Sequence, residues 1–158
     1  MIDVVNKLTR SRMMAGIRGK HTKPELDLRR ALHRLGLRYR LHTPGLPGRP
    51  DITLPKHHAV VEVRGCFWHR HEHCLFCTTP ASNTRFWKAK FGDTVKRDKR
   101  NLEALRKLGW RVAIVWECSV KEVGAEAVAG KVAAWLRSGR PFKEISSRSA
   151  KAIRLPPS

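Results

Sequence analysis

Asp51-Ile52-Thr53-Leu54-Pro55-Lys56-His57-His58-Ala59-Val60-Val61-Glu62-Val63-Arg64 is the stretch on which the fold turns. Its two apolar runs, 52–54 and 59–63, flank a short turn containing Pro55 and predict two adjacent strands. That pairing brings Asp51 and Glu62 within a few ångströms of each other. Two carboxylates so placed repel unless they share a hard cation such as Mg²⁺, which prefers oxygen ligands. The Val63 carbonyl offers a third oxygen. Side chains alternate along a strand, so Arg64 points with Glu62 and can stabilise charge building on a phosphate. Taken alone, a Pro-Asp and a Glu-x-Arg are weak signals; Glu62 reads equally well as an edge-strand residue paired with an arginine.

Working outward, residues 1–20 are basic without strong periodicity and read as an arm, with Met13-Met14 in its middle. Thr22-Lys23-Pro24-Glu25 opens a helix as cap, first-turn proline and capping-box glutamate. Leu28, Ala31, Leu32 and Leu35 form its apolar stripe, and Gly36 ends it. Residues 37–41 predict a further strand and 42–50 a loop. Beyond Arg64, regular periodicity stops from Gly65 to about Ser82. Helical spacing resumes over 86–91 and again over 94–108, with Val95, Leu102, Leu105 and Leu108 inward. Residues 110–116 form a buried strand with Cys118 at its end, and Val128, Val132 and Leu136 mark a last helix. Past Ser138, five basic residues face one glutamate, and 139–158 is expected to be a disordered basic tail. The order implies one α/β domain over 21–138, an α/β/α sandwich with a mixed central sheet.

Composition names a partner. With 33 Lys+Arg against 13 Asp+Glu, the net charge is +20, the electrostatic footprint of a nucleic-acid binder. No apolar run approaches the roughly 20 residues of a membrane span. The first residues lack a secretory-signal pattern, so a cytoplasmic, reducing setting is expected, where cysteines favour metal or free thiols over disulfides.

The segment after Arg64 runs Gly65-Cys66-Phe67-Trp68-His69-Arg70-His71-Glu72-His73-Cys74-Leu75-Phe76-Cys77. Such a density of Cys and His, with Cys118 downstream, points to structural Zn²⁺ in a loop (65–82) that lacks regular hydrogen bonds to hold it. Cys66, His71, Cys74 and Cys118 are the first choice of ligands. Cys77 competes with His71 on spacing, and His73 is a weaker candidate.

The Pro-Asp/Glu-x-Arg centre resembles the PD-(D/E)xK nuclease superfamily, with Arg64 where lysine is usual. Arginine keeps the charge but cannot act as a base. More specifically, Gly48-Arg49-Pro50-Asp51, Gly65 to His69, Phe86-Trp87, Arg97-Asp98, Gly109 to Val112 and Val115-Trp116-Glu117-Cys118 resemble the very-short-patch repair endonucleases. The match runs in order from about Thr9 to Cys118. The resemblance implies a restriction-endonuclease-like fold and Mg²⁺-dependent nicking of duplex DNA on the 5′ side of a thymine mispaired with guanine. It implies Mg²⁺ on Asp51 and the Val63 carbonyl, Zn²⁺ on Cys66, His71, Cys74 and Cys118, and catalytic roles for His69 and Glu25. His69 would be the general base or water-positioning group; for Glu25, helix capping remains an equal reading. Phe67, Trp68 and Trp87 would wedge between base pairs beside the mispair, with packing against the zinc loop the expected role of one of them. Met14 would enter from the other groove.

Lys96, Arg97, Lys99 and Arg100 are expected on phosphates, and Asp98 beside an arginine or the reacting water. Glu62 and Arg64 depart from the family pattern. The expected partners are duplex DNA with a T:G mispair and, as a further candidate, a mismatch-repair scaffold protein; the chain is expected to act as a monomer associated with the nucleoid. A restriction-type nickase with another target and a non-catalytic zinc protein binding distorted DNA are the competing readings.

Overall fold

The computed structural model describes residues 21–147, so the arm and Met14 lie outside the described residues. The first helix, α1, is Lys23–Arg34. The short strand β1 (Arg40–Leu41) precedes β2 (Ile52–Leu54), a 3-10 turn (Pro55–His57) and β3 (Ala59–Arg64). A long helix, α2 (Thr84–Lys107), leads to β4 (Arg111–Trp116), α3 (Glu117–Val123), α4 (Ala125–Ser138) and β5 (Phe142–Ile145). The sheet runs β1-β2-β3-β4-β5 in space. Its first three strands are antiparallel, and β3, β4 and β5 are parallel. This is the mixed α/β sheet expected.

Strand alternation sorts the core. Ala59, Val61, Ala113 and Val115 face Leu28 and Leu32 of α1 and Val128, Val132 and Leu136 of α4. Val60, Val112, Ile114 and Trp116 face Leu105 of α2 and the buried Cys66 and Cys118. Helices thus cover both faces. Glu62 and Arg64 continue the second set, on the α2 side.

Several expectations need correction. The strand expected over 37–41 shrinks to two residues: Leu37 and Tyr39 pack on the core, while Arg38, Arg40 and Leu41 are exposed at the sheet edge. The helices expected over 86–91 and 94–108 are one, because Gly92 weakens a helix without ending it. The buried stripe of that helix is Trp87, Phe91, Thr94 and Leu105, whereas Val95 and Leu108 are exposed. Thr94 can replace Val95 inward because its hydroxyl donates to the Lys90 carbonyl. Cys118 lies in the first turn of a helix, α3, rather than at the end of a strand.

The tail expected past Ser138 begins with a fifth strand. Val112 N–H donates to the Pro141 carbonyl, and the Arg111 guanidinium donates to the carbonyls of Trp135, Leu136 and Arg140. Ile145 is buried, and the Trp116 indole N–H donates to Glu144. The domain therefore extends to at least Ser147.

Candidate active site and metal centre

Asp51 is placed by a tight loop and two hydrogen bonds. Gly48 takes φ +75°, and a Cβ there would lie 2.8 Å from Asn101 Nδ2 of α2, so only glycine lets this loop approach the helix without a clash. His42 N–H donates to the Asp51 carbonyl, and Val63 N–H donates to Asp51 Oδ2 at 2.8 Å. The carboxylate is held at the C-terminal half of β3. Burial pushes its pKa up to about 8; the Val63 hydrogen bond opposes the rise, and the charges of Glu25 and Glu62 add to it. Three carboxylates converge here.

Glu25 is 2% exposed. It does not complete a capping box, since Thr22 makes no side-chain cap and Glu25 accepts the N–H of His21 instead. It also accepts from Arg29 at 3.1 Å and lies 3.1 Å from His42 Nε2. That same nitrogen is 3.7 Å from Asp51 Oδ1. His42, which sequence reasoning passed over as a loop residue, links the two carboxylates.

Glu62 and Arg64 face each other. The guanidinium donates twice to Glu62 Oε2, at 2.9 and 3.2 Å, and lies 5.9 Å from the Trp116 ring. The ion pair weighed against catalysis is thus formed, though on the central strand of the sheet rather than at an edge.

His69 comes from the loop after β3, and its Nδ1 lies 2.6 Å from Asp98 Oδ2 on α2. A carboxylate only accepts, so Nδ1 carries the proton and Nε2 is left as the basic nitrogen. Asp98 therefore orients a histidine, not the arginine or water expected of it. Phe67 and Trp68 pack edge-on at 5.1 Å, and both lie within 6 Å of Trp87. Trp87 is buried, whereas Phe67 and Trp68 are half-exposed. Arg70, unremarked in sequence, ties the loop: its guanidinium stacks 4.0 Å from the Phe91 ring centroid and donates to Thr78 and Thr79. Lys96, Arg97, Lys99 and Arg100 are exposed, and three of them line an open groove with Asp93 and Glu103.

The ligand atoms of Cys66, His71, Cys74 and Cys118 all lie within 4.8 Å of one another. His71 Nδ1 is 3.5 Å from both Cys66 and Cys118 Sγ, and its ring lies flat on Trp116 at 4.1 Å. Three thiols and an imidazole turned inward in a buried setting suit a tetrahedral soft-donor metal site. Among the described residues, Cys77 and His73 fall outside this cluster. The hydrogen bond between the Cys66 and Cys118 thiols, helped by His71, lowers Cys118 to about 3, and the same bond together with burial raises Cys66. Glu117 braces the site by accepting Cys66 N–H at 3.0 Å; its place in Trp116-Glu117-Cys118 was the only sequence signal for it.

The sequence profile of a family described as DNA mismatch endonuclease Vsr matches residues 2–75. A DNA mismatch endonuclease Vsr from Escherichia coli K12 is 40% identical over 139 residues, covering 86% of this chain and 88% of that protein. A type II nicking enzyme of Xanthomonas oryzae pv. oryzae is 42% identical over 79% of this chain and 91% of its own. Another, from Neisseria meningitidis serogroup A, is 41% identical over 77% of this chain and 86% of its own.

Proposed function

The chain belongs to the Vsr family of DNA mismatch endonucleases, and from that premise we propose that it nicks one strand of duplex DNA 5′ of a thymine mispaired with guanine, in a restriction-endonuclease-like fold. The observations that support the reading are the crowding of Asp51 by Glu25 and Glu62 and, on the loop that follows β3, a histidine oriented by Asp98 beside a partly exposed aromatic cluster.

The donors fit a hard dication: Asp51 is half-buried and feels the charge of two other carboxylates, a crowding that a cation relieves. Asp51 and the Val63 carbonyl would hold Mg²⁺, with Glu62 at its margin. Bound there, it would polarise the phosphate and stabilise the leaving oxygen. The chain's own residues do the rest. His69 Nε2 accepts a proton from the water that attacks phosphorus, while Asp98 fixes the tautomer and stabilises the imidazolium. Glu25 holds the His42 that spans to Asp51. Arg64, paired with Glu62, offers the phosphate side hydrogen-bond donors rather than net charge.

Phe67 and Trp68 supply the wedge, and unstacking costs less at a mispair than at a Watson–Crick pair. Trp87 backs them from the core. Lys96, Arg97, Lys99 and Arg100 hold phosphates and set the position along the duplex without reading sequence. Zn²⁺ on Cys66, His71, Cys74 and Cys118 braces the loop that carries both wedge and histidine.

The test is a strand-resolved nicking assay with Mg²⁺ on duplexes that differ only in one base pair. T:G should be cut and matched DNA spared, and Asp51→Ala should lose cutting while keeping mismatch binding. Equal cutting of matched DNA would refute the mismatch assignment.

A further inference from the structure

Beside Asp51 lies a set of nitrogen and oxygen donors that includes Glu25 and His42 of the proposed reaction. His21, Glu25 and His42 present ligand atoms within 4.8 Å of one another. The two imidazoles meet edge to face, with ring centroids 4.7 Å apart. His42 Nε2 is 3.1 Å from Glu25 Oε1, and His21 Nδ1 is 3.9 Å from Glu25 Oε2. Asp51 Oδ1 is 3.7 Å from the same His42 nitrogen, which offers a fourth donor at the rim. Arg29 Nη1 sits 3.0 Å from His21 Nδ1 and 3.1 Å from Glu25, where it neutralises the carboxylate.

Donors about 2.0–2.2 Å from a metal stand about 3–4 Å apart, so this set needs only a small contraction, with Arg29 withdrawing, to close on an ion. Two imidazoles with one or two carboxylates are a borderline donor set: imidazole suits Zn²⁺, Fe²⁺ and Ni²⁺, whereas Mg²⁺ favours oxygen and water. We propose that His21, Glu25 and His42 form a second cation site adjoining Asp51, which takes a first-row transition dication in preference to Mg²⁺. The site borders the catalytic centre through Asp51 at its rim and is separate from the thiol cluster. It ties the start of α1 to the loop that carries Asp51.

Because Glu25 and Asp51 also figure in the proposed reaction, the test reads binding rather than turnover. Zinc-loaded protein is titrated with Co²⁺ in excess Mg²⁺, followed by calorimetry and visible absorption. Intense thiolate-to-cobalt charge transfer would reveal exchange at the cysteines, and zinc retained per chain is measured in parallel. One Co²⁺ should bind through weak ligand-field bands alone. His42→Gln and His21→Ala should each weaken it by about tenfold or more, with zinc content and near-ultraviolet circular dichroism unchanged. Equal binding by the wild type and both variants, cobalt found only on thiolates, or displacement by Mg²⁺ at similar concentration would each overturn the site. Nicking of a T:G duplex in Mg²⁺ is assayed on the same samples, so a failed cation site and a failed nuclease assignment are told apart.

Discussion

At the scale of single residues, position 51 carries the most chemistry. Its carboxyl titrates near 8 in the folded chain because burial and two neighbouring carboxylates disfavour the charge, against about 3.9 when unfolded. A raised folded pKa means the native state holds the proton more tightly. That contribution to stability is complete below about pH 4 and is lost as pH rises to about 8. Zinc-loaded, Mg²⁺-free protein should therefore lose melting temperature across that window, and Asp51→Asn should flatten the loss; equal slopes would contradict the buried, charge-crowded setting. The proton also competes with the cation, so the Mg²⁺ concentration for half-maximal nicking should rise as pH falls. Asp98 acts through another residue. Asp98→Asn removes the carboxylate that fixes the His69 tautomer, and kcat should fall by about 10²-fold or more with mismatch affinity kept. A matching loss of affinity would instead make Asp98 part of the DNA-binding surface.

At the scale of elements, the chain's legibility follows how local each signal is. Strands β2, β4 and the first half of β3 were readable because their apolar runs are continuous and nearly fully buried. Three of the four clustered donors, Cys66, His71 and Cys74, were readable because Cys and His crowd there at the short spacing of metal sites. The fifth strand was hidden: Phe142-Lys143-Glu144-Ile145 carries charge in its middle, and it forms because β4 offers a free edge and Arg111 clamps the turn before it. The rotation of α2 toward Thr94 was equally invisible, since a hydroxyl bonded to its own helix can be buried like an alkyl group. His42 could not be singled out because its role rests on contacts across 17 residues to Glu25. Gly48 was noted only as part of a motif, yet it joins two elements. Gly48→Ala should cost about 1–3 kcal/mol from positive φ and the Asn101 clash together, read as a lower melting temperature. Adding Asn101→Ala should relieve the clash but not the backbone strain, giving partial recovery; full recovery would mean that the strain is negligible.

At the scale of the whole molecule, charge and shape divide the work of finding a site. A net charge of +20 attracts any duplex, and such affinity is sequence-blind. On the proposed reading, the wedge of Phe67 and Trp68 would supply discrimination, because its insertion is easier where stacking is already weakened. The exposed cations of α2 lie next to Asp98 in sequence, so the proposed phosphate contacts and the orientation of His69 would share one helix. The two terms can be separated by salt. Each phosphate contact contributes about −0.9 to the slope of log K against log salt, so removing both Lys99 and Arg100 should reduce that slope by about 2. Matched and mismatched duplexes should weaken together, leaving their affinity ratio unchanged. Trp68→Ala should do the reverse, keeping the salt slope while collapsing the ratio toward one. A double change at Lys99 and Arg100 that altered the ratio would mean that α2 reads the mispair, and the division between a sequence-blind helix and a discriminating loop would fail.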